Sequence, residues 1–181
     1  MKFEDVLGNE RLWAVVYDGD DENILVKVFD QWYDVHWLKT FFEANIDDLT
    51  SYFHISNIDD AIYDTQDDAD SLSSLILDSR PDSDLDTVFR HLENHRAFEM
   101  VLGKEKARGK YHNGHPSWLR LYALRLGKGS YLLTGGTIKL TKTMEERMHT
   151  LQELMKMEQV RNYLLSNGAH DLDGLIDLSQ N

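Results

Sequence analysis

The stretch "SWLRLYALRLGKGSYLLTGGTIKLTKT", Ser117 to Thr143, decides how this chain is read. Its two halves have the character of β-strands, joined by the turn signal Gly127-Lys128-Gly129-Ser130. Side chains alternate along a strand, so Arg120 and Tyr122 share one face while Leu119, Leu121 and Ala123 share the other. In the second half Ile138 and Leu140 fall on one face, and Thr137 and Lys139 on the opposite one. The adjacent glycines Gly135 and Gly136 predict a bulge or a close backbone approach. The expected pair is therefore Leu119–Leu126 antiparallel to Tyr131–Thr141.

After the hairpin, Thr143 and Glu146 have the spacing of a capping box, which predicts a helix. Its stripe of Met144, Met148, Leu151 and Met155 is expected to pack in the core. Ser166-Asn167-Gly168 reads as the helix stop. Upstream of the hairpin, "RLWAVVYD" (Arg11–Asp18) is a short apolar run and reads as a strand. From Glu22 to about Asn45 the spacing is helical, with Val28, Trp32, Leu38 and Phe42 toward one side. Ile58, Ile62, Thr65, Ala69, Leu72 and Ile76 recur at helical steps, and Ser56 with Asp59 forms a second capping pattern. Pro81 breaks that helix, Leu85–His95 reads as another short one, and "FEMVLG" (98–103) as a further β-like run. The order is a strand, several helices, a β-meander and a long helix. That is an α+β class: a small antiparallel sheet with helices packed on one side.

The chain has 181 residues, 41% of them hydrophobic, and a net charge of −13. This suits one globular domain over 1–181 and argues against disorder. No long apolar run predicts a membrane span, and the start "MKFEDVLGNE" lacks a signal-peptide core, so the expected location is cytoplasmic. The absence of cysteine removes disulfides, thiolate metal sites and a cysteine nucleophile. Charge is unevenly spread. Residues 1–99 hold 24 acids against 7 Lys/Arg, whereas residues 100–142 hold 9 Lys/Arg against the single acid Glu105. An acidic protein with a compact basic region can still bind nucleic acid locally.

A basic strand, a turn, an apolar strand ending in "IKLTKT" and a helix with a capping pattern resemble the C-terminal half of the RelE/ParE toxin superfamily, nearest its HigB-like, phage-derived branch. The resemblance covers about 98–165 plus the early strand, with about 20–97 standing as an acidic helical insertion. It implies a ribosome-dependent mRNA endoribonuclease, with RNA and the ribosome as partners and an antitoxin or other protein as a further one. RNA cleavage of this kind needs no protein nucleophile, because the 2′-hydroxyl attacks the neighbouring phosphate. The implied catalytic residues are Arg120, Tyr122 and Lys139, and the implied RNA-binding residues are Lys104, Lys106, Arg108, Lys110, Arg125 and Lys142. No cofactor is implied.

Each group has a plainer reading. Lys104, Lys106, Arg108 and Lys110 form a row that suits a solvated edge strand. Arg120, Tyr122 and Lys139 suit ordinary polar cover of a sheet. Tyr111, His112 and His115 suit a turn whose histidines touch nothing. His91 with His95, and His112 with His115, have zinc-like spacing that chance produces often, so no metal is expected. "DGDDEN" has Asn23 where a calcium loop needs Gly, and Phe29 where it needs Glu. The alternative function is a non-catalytic module that binds a protein partner. A concave basic surface with Tyr or His near Lys and Arg would favour the nuclease; scattered, salt-bridged cations would favour the module.

Overall fold

The expected hairpin forms the centre of the molecule. The computed structural model describes residues 1–78, 85–92, 101–109 and 114–180. In chain order these build β1 (Lys2–Asp5), β2 (Leu12–Val16), α1 (Ile24–Tyr33), α2 (Val35–Ala44), α3 (Ile46–Phe53) and α4 (Ile58–Leu77). A 3-10 turn (Leu85–Thr87) follows, then β3 (Arg90–His91), β4 (Lys104–Ala107), β5 (Leu119–Gly127), β6 (Ser130–Ile138), α5 (Met148–Ser166) and α6 (Leu172–Ser179). The class is α+β.

The described strands form one sheet in the order β1-β2-β6-β5-β4-β3. β5 and β6 pair antiparallel from Leu119↔Ile138 to Gly127↔Ser130, so Lys139, Leu140 and Thr141 lie beyond the end of the strand expected to hold them. Tyr122 pairs with Gly135 and Ala123 with Leu133, so Thr134 is the extra residue of a bulge beside the two glycines. Two features depart from the sequence expectation. β2 lies parallel to β6, in the register Leu12↔Tyr131, so the sheet is mixed rather than antiparallel. Helices also cover both faces, not one. Gly135 and Gly136 show this directly, because neighbours on a strand point to opposite faces. A Cβ on Gly136 would lie 2.7 Å from Val28 of α1, whereas one on Gly135 would collide with the Glu153 carboxylate of α5. Covered on both faces, all five residues of β2 are buried, which is why its sequence is a continuous apolar run.

The acidic segment forms the layer of α1 to α4. Val28, Trp32, Leu38 and Phe42 are buried as expected, but on two helices. Asp34 divides them, since its carboxylate accepts from the backbone N–H groups of His36 and Trp37 and so caps a new helix. α4 buries Ile62, Thr65, Ala69, Leu72 and Ile76, and its cap is Asn57, one residue beyond Ser56. Trp118 joins this layer to the sheet: its indole donates to Thr65 Oγ1 at 3.0 Å, and its ring packs on Phe42 and Phe53.

Three local expectations are corrected. Leu85–Thr87 is a 3-10 turn and Arg90–His91 a strand, because pairing with β4 outweighs weak helical spacing; 93–95 lie outside the described residues. Of "FEMVLG", residues 98–100 are outside the described residues, and 101–103 precede β4 without strand structure. The methionine stripe is not the buried face of α5. Glu146 does accept from the Thr143 backbone N–H at 2.6 Å, but the helix starts only at Met148. Thr150, Glu153, Met157, Val160 and Leu164 face the sheet, leaving Met148 and Met155 exposed and Leu151 half-buried, while Met144 is buried from the preceding loop. No helix among the described residues is long and apolar enough to cross a membrane.

A cationic cavity as the candidate functional site

Helix α5 covers only part of its face of the sheet. Over β5, β4 and β3 the same face is open, and the loop after β6 closes its far side. The result is a cavity of about 630 Å³ lined by Arg90, Lys104, Lys106, Arg108, Arg120, Lys139 and Lys142, with Tyr122 among them. Strand register explains the convergence. Lys106 stands between Arg90 on β3 and Tyr122 on β5, and Tyr122 faces Gly135 on β6, so one row of the sheet carries all four. Arg120 lies one pair further along, opposite Thr137. Leu92, Met144 and Leu154 supply apolar wall, and Glu145 is the one carboxylate among the lining residues.

Three of these cations, Lys106, Arg120 and Lys139, are held by carbonyls rather than neutralised. Arg120 donates to the carbonyls of Ser117 and Leu119, both at 2.7 Å. Lys106 donates to the Leu92 carbonyl at 2.8 Å, and Lys139 to those of Thr141 and Lys142 at 2.7 and 2.5 Å. Among the described residues, only Lys104 of the seven forms an ion pair, with Glu158. Like charges then act on one another. Burial pushes the Lys106 ammonium below its ordinary pKa, and Arg120, Arg108 and Arg90 push it further. Lys139 is lowered by burial and by Arg120 and Lys106, though Glu146 and Glu145 partly restore it. Burial also raises the Tyr122 phenol, which therefore stays protonated. Its hydroxyl is buried, with no hydrogen-bond partner among the described residues. A bound polyanion would offset this mutual repulsion.

Of the residues singled out from sequence, Lys104, Lys106, Arg108, Arg120, Tyr122, Lys139 and Lys142 meet in this cavity. Arg125 does not. It lies on the opposite face, 3.4 Å from the Asp86 carboxylate. Lys110, Tyr111, His112 and His95 lie outside the described residues. His115 is not idle in a turn: its ring stacks on Trp118 at 4.3 Å and its Nε2 sits 3.3 Å from Asp64. Arg90 escaped the sequence reading because a two-residue strand is too short to show alternation. The acidic layer leaves the cavity open, since α1 and α4 pack on the other face. It also braces one wall: Asp48 of α3 accepts two hydrogen bonds from Arg147, at 2.7 and 2.5 Å. No group of three His, Cys, Asp or Glu suited to a metal occurs among the described residues.

Glu153 lies on the same face, under α5. Its Oε1 accepts from Lys156 at 2.7 Å, while Oε2 is buried without a well-formed hydrogen bond among the described residues, the Gly136 backbone N–H lying beside the carboxylate. Burial pushes its carboxyl above the usual value of 4.5. The folded chain therefore binds this proton more tightly than the unfolded one. The group favours folding most below pH 4.5, and that contribution is lost as pH rises through the folded value. Glu153→Gln is expected to be at least as stable as the parent at neutral pH, with a flatter decline in melting temperature above pH 4.5. Thermal melts across pH check this, and a variant that loses stability at pH 7 would assign the carboxylate a favourable charged role.

Comparison with protein-family models, curated proteins and solved structures finds no match for this chain. Fold and site together define an α+β protein with a polycationic cavity on one face of a mixed sheet.

Proposed function

We propose that this protein is a RelE/HigB-like endoribonuclease acting on ribosome-bound mRNA, with the cationic cavity as its active site. The observation that carries the reading is the convergence of seven cations around a buried tyrosine hydroxyl, six of them without an ion pair among the described residues. RNA phosphates supply the missing charge. Cleavage would proceed by attack of the 2′-hydroxyl on phosphorus as the bond to the 5′-oxygen breaks, giving a cyclic phosphate and a free 5′-hydroxyl. Lys106, whose charged neighbours are all positive, is the amine most disposed to be neutral and accepts the 2′-proton. Lys139, supported by Glu146 and Glu145, remains the ammonium that protonates the leaving oxygen. Arg120 holds the charge that grows on the phosphorane, and Tyr122, buried beneath the cations, forms the floor of the site. Arg90, Lys104, Arg108 and Lys142 hold the flanking backbone.

The second reading is a non-catalytic module that receives an acidic protein segment, such as part of an antitoxin, in the same cavity. The carbonyl contacts that hold Arg120 and Lys139 favour it, since they suit a static surface. Expression in a bacterial host, with growth and message integrity followed, tests the choice. Cleaved ribosome-bound mRNA and slowed growth are expected. Intact message with unaltered growth would leave only the module.

A further inference from the structure

The one acid in the basic stretch, Glu105, plays no part in the cationic cavity. It is 2% exposed and points to the other face of the sheet, where its cross-strand partner is His91. The Glu105 Oε1 lies 2.9 Å from His91 Nδ1. Burial raises the Glu105 carboxyl, while His91 and Arg125 draw it back down. The contact fixes the imidazole and leaves Nε2 for another group. His91 lines a second cavity, of about 490 Å³, together with Asp86, Gly103, Arg125, Lys128 and His170.

The charges around this cavity favour an anion. Asp86 is its one lining carboxylate, and it is already engaged: it accepts from the Tyr131 hydroxyl at 2.5 Å and the Gly129 N–H at 3.0 Å, with Arg125 at 3.4 Å. Asp86 thereby orients Arg125. The other charged or titratable liners are Arg125, Lys128, His91 and His170, drawn from β5, the β5–β6 turn, β3 and the segment before α6. The charged and titratable groups around His91 are thus Glu105 from β4, Arg125 from β5, Asp86 from the 3-10 turn, Lys128 and His170. Guanidinium, ammonium and imidazole donors around one hollow match the several acceptor oxygens of a phosphate group.

We propose that this second cavity binds a phosphate group, free or carried as the terminal phosphate of a nucleotide, through Arg125, Lys128 and His91 Nε2. The site is separate from the cationic cavity, and it stands whether or not the chain cleaves RNA.

The test is NMR titration of the His91 ring with inorganic phosphate and with adenosine 5′-monophosphate. It uses the full unaltered chain, because His91 lines the second cavity and not the cationic one. Sulfate serves as a third anion with the same tetrahedral set of acceptor oxygens. Saturable movement of the His91 signal is expected with each of the three anions. His91→Gln, followed by calorimetry, should weaken binding about threefold to tenfold, since it removes one donor to the anion. Lys128→Gln, on an exposed turn where folding is not at risk, should weaken binding about threefold to tenfold. Tighter binding of the nucleotide than of phosphate would identify a nucleotide-borne group, and equal binding a free one. The proposal is overturned if His91 does not respond to any of the three anions, or if Lys128→Gln and His91→Gln both bind as the parent does.

Discussion

Lys106→Arg is expected to lower RNA cleavage by about 10²- to 10⁴-fold, the range for loss of a general base, while RNA affinity changes by less than about threefold. The substitution keeps the positive charge in the cavity and removes the amine that can become neutral, because a guanidinium does not deprotonate in proteins. Lys106 sits where that difference is largest. Half-buried on β4, it stands between Arg90 and Tyr122, and burial and three arginines lower its pKa. In the unaltered protein, cleavage should rise with pH through the depressed value of this lysine. Binding should weaken over the same range, as one positive charge is lost. The arginine variant should lose both dependences. Single-turnover cleavage of a short RNA, with fluorescence anisotropy for binding, measures the two separately. Retained cleavage in Lys106→Arg would remove Lys106 from proton transfer.

Arg120→Ala is expected to lower cleavage by about 10²- to 10³-fold, the scale for losing one preorganised donor to transition-state charge. Binding should fall much less, because the other six cations remain to hold the backbone. Strand β5 and the two carbonyl contacts hold the guanidinium rigidly, and rigid donors cost no reorganisation as charge develops. Those same contacts make Arg120 part of the local fold, so Arg120→Lys is the companion variant. It restores the charge but not the paired donor geometry, and should recover part of the rate. Circular dichroism and melting temperature establish that both variants fold. If Arg120→Ala binds RNA poorly and cleaves bound RNA at the normal rate, Arg120 is a backbone clamp and the phosphorane is held elsewhere.

The β5–β6 hairpin, its turn and its bulge could all be read from local sequence. Alternation, the Gly-Lys-Gly-Ser turn and the glycine pair each act within a few residues. The burial pattern of α4 was legible for the same reason. The methionine stripe misled because its period is as regular as that of the buried one. Which stripe faces inward depends on where the helix begins and which sheet face receives it. Asp34 had a weak local signal, since a capping carboxylate within an apolar period marks a break only when the chain turns there.

The sequence by itself determined the α+β class, the central antiparallel pair and the concentration of cations in residues 100–142. All follow from local periodicity and composition. Only the tertiary structure decided which cations act together. Arg120 and Arg125 are five residues apart on one strand, yet they lie on opposite faces because strand alternation is two-fold. Arg90 and Lys139 are 49 residues apart and line one cavity, because strand pairing and a loop bring them together. The parallel β2–β6 contact and the helices on both faces were decided the same way. Long-range pairing depends on which buried surfaces match, and a local window of sequence carries no record of that match.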